Sequence, residues 1–176
     1  MKKLGIVLFS TAILLTGCAA NNTSNKTGSS SQASSSQTAV NQKELDKATA
    51  DYKSFVQGQI DQLLTDTEKF RDTLKEGKLD EAKKQYPLIR MAYERSEPIA
   101  ESFGESDVKI DFRLVDYVDE NKTEEGWSGF HRIEKIMWEQ NTTKGTESYA
   151  DQLVNDIKEL KAKIATVEVT PDMMLT

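Results

Sequence analysis

The chain has 176 residues, 23 Lys and Arg against 29 Asp and Glu, one histidine, one cysteine and a formal net charge of −6. A single cysteine excludes an internal disulfide, so any fold must stand on its apolar core. The acidic balance argues against nucleic acid and against adhesion to anionic lipid headgroups, and is compatible with a cationic ligand.

The chain opens with Lys2 and Lys3, an apolar stretch from Leu4 to Leu15, and then Leu15-Thr16-Gly17-Cys18. A charged start, a short apolar run and a small-residue cleavage site make residues 1–17 a signal peptide. Twelve residues of helix span ~18 Å, too short for the ~30 Å core of a bilayer. Leu-Thr-Gly-Cys resembles the bacterial lipobox, which implies a lipid (palmitate) on Cys18 and an extracytoplasmic domain anchored to the cell membrane. Loss of residues 1–17 removes two lysines and takes the charge from −6 to −8. Residues 18–42 are nearly all Ser, Asn, Thr, Gln, Ala and Gly, so they are read as a flexible tether with a reach of ~25 to 30 Å.

From Lys43 to Glu76 the apolar residues recur every three or four positions, including Leu45, Tyr52, Phe55, Val56, Ile60, Leu63, Phe70 and Leu74. That spacing predicts one long amphipathic helix, ended by Gly77. A second pattern runs from Leu79 to Phe103 through Ala82, Tyr86, Ile89, Tyr93 and Ala100, with Gly104 as its stop and Pro87 and Pro98 as kinks or breaks. Residues 105–126 read as polar and irregular. Helical periodicity returns at Phe130, Ile133 and Met137, and again from Tyr149 through Leu153, Ile157 and Leu160 to Ile164. No run alternates as a strand does, so the expected fold is all-α, an up-and-down helical bundle.

The single histidine lies in Gly129-Phe130-His131-Arg132-Ile133-Glu134. Residues three apart are neighbours on a helix, so His131 and Glu134 can present an imidazole and a carboxylate together. Both flank the apolar stripe of Phe130, Ile133 and Met137, whereas Arg132 and Glu139 point away from it. Glu94 and Glu97 repeat the spacing, and Pro98 denies the Glu94 carbonyl its helical hydrogen bond. His-x-x-Glu is a short motif that a packing histidine also satisfies, and Glu94 can equally pair with Arg90 on the surface. Trp127 and Trp138 read as core. Serine-nucleophile, phosphate-loop and Cys/His zinc patterns are absent from the sequence.

Three blocks carry a resemblance: Tyr93 to Gly104, Ile110-Asp111-Phe112-Arg113, and Trp127 to Trp138. In order and spacing they are similar to the imelysin-like family, and in particular to its EfeO/EfeM branch of iron-uptake lipoproteins. The resemblance implies two related four-helix bundles, of which residues 43–176 would be the first, in a domain that is truncated here. It implies a metal site at Gly129, His131 and Glu134, with Glu94, Glu97 and Asp111 as further acidic ligands. It implies iron as the bound metal, an EfeU-like membrane permease as recipient and an EfeB-like haem peroxidase as companion. One imidazole among carboxylates is also a donor set suited to iron, manganese or zinc. Two other readings remain beside this non-enzymatic one: an imelysin-type zinc metallopeptidase, and a divalent-ion-dependent polysaccharide-binding module. If the second bundle is absent, an uncovered apolar face would favour self-association.

Overall fold

A computed structural model describes residues 31–174, with side chains from residue 41 onward. The segment read as a signal peptide, Cys18 and the first part of the expected tether lie outside the described residues, as does Leu175.

Helix α1 spans Ser31–Lys75 and ends where the sequence requires. Gly77 takes φ 76°, and the amides of Gly77 and Lys78 donate to the carbonyls of Leu74 (3.0 Å) and Thr73 (3.1 Å). That reciprocal pair is a Schellman cap, which needs a left-handed residue that glycine supplies at least cost. At its other end, α1 runs twelve residues further back than expected, into the segment read as tether. Extending a helix already nucleated by a packed segment fixes only one residue per added hydrogen bond, so Ser can be recruited beside Gln, itself a good helix former.

Helix α2, Leu79–Glu94, returns antiparallel along α1. Pro87 sits inside it without ending it, while Pro98 does end it: the chain turns at Arg95 and Ser96 and restarts as α3, Glu97–Ala100, continued by a 3-10 turn over Glu101–Phe103. The break is held by the Ser96 amide on the Tyr93 carbonyl (2.7 Å) and the Ser96 hydroxyl on the Ala92 carbonyl (3.0 Å). Gly104, expected as a stop, is the first residue of α4, Gly104–Asp111. Residues 105–126 are therefore not irregular, since α5, Leu114–Asn121, follows after two extended residues. Helices of only eight residues escape periodicity, which needs several turns to register.

Helix α6, Phe130–Glu139, and helix α7, Glu147–Thr166, complete the bundle. Helix α7 lies antiparallel to α1, with ion pairs Lys75–Asp151 (2.6 Å), Lys158–Glu68 (3.0 Å) and Lys161–Asp61 (2.7 Å) stepping along the seam. Helix α1 packs on α2 and α7, while short α4 and α6 together close the remaining side. The core is the set the spacing selected: Val56, Ile60, Leu63, Phe70 and Leu74 from α1, Ala82, Tyr86, Ile89 and Tyr93 from α2, Phe130, Ile133 and Met137 from α6, and Leu153, Ile157, Leu160 and Ile164 from α7. Leu45, Phe55 and Trp138 depart from it and are exposed. Arg132 is not turned to bulk water either, because its guanidinium stacks between Trp127 (5.5 Å) and Tyr149 (5.1 Å). Near the C-terminus, Met173 and Met174 pack on the core. Among the described residues no helix is long and apolar enough to cross a membrane.

Candidate metal site

The site is assembled where the end of α4 meets the start of α6. Trp127, Ser128 and Gly129 clasp the C-terminal carbonyls of α4: Trp127 Nε1 donates to the Phe112 carbonyl (2.7 Å) and the Ser128 hydroxyl to the Lys109 carbonyl (3.1 Å). Gly129 adopts φ 84°, and a Cβ there would collide with the Ile110 carbonyl and come within 2.7 Å of the Lys109 oxygen. Only glycine lets the two backbones meet this closely. The consequence is positional: Asp111, the last residue of α4, is delivered beside His131, in the first turn of α6.

His131 stands between two carboxylates. Its Nδ1 lies 2.8 Å from Glu134 Oε2, the i, i+3 neighbour, and its Nε2 lies 3.5 Å from Asp111 Oδ1. From α2, Arg90 reaches the same place and donates through both guanidinium nitrogens to Asp111, with Nη2 at 2.9 Å from Oδ2. It also donates to Glu94 (2.5 Å). The guanidinium packs over the rings of Tyr93 (5.6 Å) and Phe130 (5.2 Å), so it is fixed by stacking as well as by charge. Arg90 and Asp111 are both largely withdrawn from solvent, at 13% and 11% side-chain exposure. In that setting a two-pronged arginine–carboxylate pair is much stronger than a surface contact.

Glu97 begins α3 just beyond the break that Pro98 causes. Burial, then hydrogen bonding with Glu94 and the charge of Glu94, push its carboxyl up to about 7. Asp111 is also raised, by burial, against the opposing pull of Arg90 and His131. On the wall between these groups stands Tyr86, buried and raised by burial and then by the charge of Glu134. An open cleft of about 690 Å³ runs along α2 past Tyr86, Arg90, Glu94 and Glu134, with Trp138 at its edge. His131 and Glu134 open on the other side into a second cleft of about 450 Å³.

All five expected ligands, Glu94, Glu97, Asp111, His131 and Glu134, thus belong to one connected polar network. They do not form a ready coordination shell: among the described residues, no group of three or more His, Cys, Asp or Glu side chains is arranged to hold a metal ion. The positive charge at the centre is the guanidinium of Arg90, to which Asp111 and Glu94 turn. Sequence reasoning treated Arg90 only as a surface partner of Glu94. Its link to Asp111, 21 residues away, had no local signal. Tyr86 was assigned to the core stripe, and correctly so for its ring. Cys18, the expected lipidation site, is outside the described residues.

The imelysin family profile, which carries a peptidase heading, matches residues 48–176. An "Efem/EfeO family lipoprotein" of Staphylococcus haemolyticus is 44% identical over 176 residues, which is 99% of this chain and 61% of that protein. Proteins of the same description from Staphylococcus aureus strains COL and MW2 are 45% identical over 133 residues, 75% of this chain and 46% of theirs. The chain therefore spans about half to three fifths of the length of these curated relatives.

Proposed function

The chain belongs to the imelysin family, and from that premise we propose that it is an extracytoplasmic lipoprotein of an Efe-type uptake system that captures iron and passes it to an EfeU-like permease. The observation that carries this reading is the meeting of Asp111, His131 and Glu134 at the α4–α6 junction, with Glu94 and Glu97 arriving from α2 and α3. Those groups supply carboxylate oxygens and one imidazole nitrogen, donors matched to iron and able to accept manganese or zinc. The lipobox at Cys18 and the description of the relatives as lipoproteins support a lipid anchor on the outer side of the membrane. An EfeB-like haem peroxidase is the companion this role implies.

Capture requires Arg90 to give up Asp111 and Glu94. Arg90 neutralises part of a crowded acidic group that would otherwise repel itself. An incoming cation takes over that neutralisation, so ion binding and release of the guanidinium are coupled.

The test is calorimetric titration of the chain with iron, manganese and zinc salts, beside His131→Ala and Glu134→Ala. We expect both substitutions to abolish high-affinity binding while helicity persists, because neither residue is at the centre of the core. A Lys135→Ala control should bind as the parent does. Unchanged binding by His131→Ala would place the site elsewhere. Chelator-sensitive hydrolysis of casein by the purified chain would replace capture with the metallopeptidase reading.

A further inference from the structure

Where α2, α5 and α6 come to the surface, the molecule keeps large apolar groups in water. Met91 (44% exposed) and Trp138 (45%) line the cleft along α2, with Leu88 (63%) one turn before Met91. Trp138 also lines the second cleft, together with Leu114 at the start of α5, and the next residue, Val115, is 70% exposed. Helix α5 buries none of its residues. Single exposed apolar side chains are ordinary, but a group drawn from three neighbouring helices is the kind of patch that marks an interface.

The charges around this patch are sorted by sign. On α2, Lys83 is held by the Asn141 side chain (2.9 Å) and the Trp138 ring (5.5 Å), and Arg95 by Gln59 (3.5 Å) and the Met91 sulfur (3.4 Å), so neither forms an ion pair among the described residues. The carboxylates of the same cleft, Glu94 and Glu134, are already engaged by Arg90 and His131. On α5 the position is reversed. Asp116 and Glu120 are exposed and form no ion pair among the described residues, and Asp119 meets only Lys122 at the end of its own helix (3.6 Å).

We propose that this face docks a second copy of the chain, with α5 of each copy lying on the α2–α6 cleft of the other. A two-fold axis near Trp138 exchanges the cationic α2 side with the acidic α5 side, so one surface complements itself, as a closed dimer requires. Val115 then stands against Met91 and Trp138 of the second copy, and Asp116 and Glu120 approach its Lys83 and Arg95, an apolar centre with a charged rim. Each contact is made twice, so about 600 Å² at each helix-in-cleft contact reaches the roughly 1,200 Å² at which specific interfaces begin. The inference does not rest on iron capture, and failure of either leaves the other standing.

The experiment uses the full chain in detergent, at several micelles per chain, with Cys18→Ala removing its one thiol. Met91→Cys and Val115→Cys are placed in separate chains, so a bridge between these two positions joins two copies. Mixed and mildly oxidised, the two variants should form a disulfide-linked heterodimer at least about 10-fold faster than either chain links to itself, because a bridge forms only between closely placed positions. Lys83→Glu with Arg95→Glu in the Met91→Cys chain should slow that reaction, and Asp116→Lys with Glu120→Lys in the Val115→Cys chain should restore it, with helicity unchanged throughout. Sedimentation of the Cys18→Ala parent should show monomer and dimer exchanging with concentration. A parent that stays monomeric at every concentration, or a heterodimer that forms no faster than the self-links, overturns the proposal. A heterodimer indifferent to charge reversal overturns it as well.

Discussion

At the scale of single residues, the site is an exercise in unequal neighbours. Glu94 has an arginine beside it, whereas Glu97 faces burial and the negative charge of Glu94, which together lift it to about 7. The sign of the resulting pH effect follows from linkage. A carboxyl whose folded value lies above its unfolded value binds its proton more tightly when folded. Its contribution to stability is complete at pH below the ordinary glutamate range and is lost as pH rises through about 7. Without metal, the protein should therefore lose thermal stability more steeply than a Glu97→Gln variant as pH rises from the ordinary glutamate range to about 7, and no more steeply above it. Because Glu97 is only partly buried, solvent screening limits the difference to about 1 kcal/mol. Parallel melting curves of the two proteins over that interval, without metal, measure it. A Glu97→Gln variant whose midpoint falls with pH as steeply as the parent's would assign the effect to another group. The closeness of Glu94 and Glu97 was legible in the sequence from their spacing of three, although the chain breaks between them and Glu97 starts α3. The tether between Arg90 and Asp111 was not, since no local rule links residues on different helices.

At the scale of elements, the site depends on a junction between a helix end and a loop. The hydrogen bonds from Trp127 and Ser128, together with the close approach at Gly129, fasten the C-terminus of α4 and so fix where Asp111 stands. Gly129→Ala meets two obstacles, a left-handed backbone and a collision with the Ile110 carbonyl. Strain of that kind is worth about 1–3 kcal/mol. We expect a matching loss in denaturant unfolding and a weaker ion affinity, because Asp111 would be pushed away from His131. An Ala variant with parental stability and affinity would mean that the clasp is not what positions Asp111. Pro98 acts at the same scale. By ending α2 it lets Glu97 leave the helical register of Glu94 and start α3, a consequence of one missing amide that the sequence does announce.

For the whole molecule, scaffold and site are separate in space. The long seam between α1 and α7 carries much of the core and several cross-helix ion pairs, while the network around Arg90 lies among α2, α4 and α6. Leu63, fully buried on α1, belongs to the scaffold. Leu63→Ala should lower the unfolding free energy by about 2–5 kcal/mol through lost burial and a residual cavity. Ion affinity measured well below the melting transition should stay at the parental value. A large fall in affinity would show that the seam and the site are coupled, contrary to their separation. Unfolding in urea with and without bound metal reads both quantities from one series.

The sequence by itself determined what repeats locally: the long helices and their inward faces, the stop at Gly77, the break at Pro98, and the two acid-bearing pairs three residues apart. Each follows from backbone geometry and the burial of apolar surface, which act over a few turns and leave a period in the residue order. It did not determine α4 and α5, whose eight residues each, about two turns, are too short to carry a period. Nor did it determine that Arg90 would stand between Glu94 and Asp111, or that Asp111 would be clasped against Gly129. Only the tertiary structure decides such contacts, because they join residues far apart in the chain whose meeting depends on how whole helices pack.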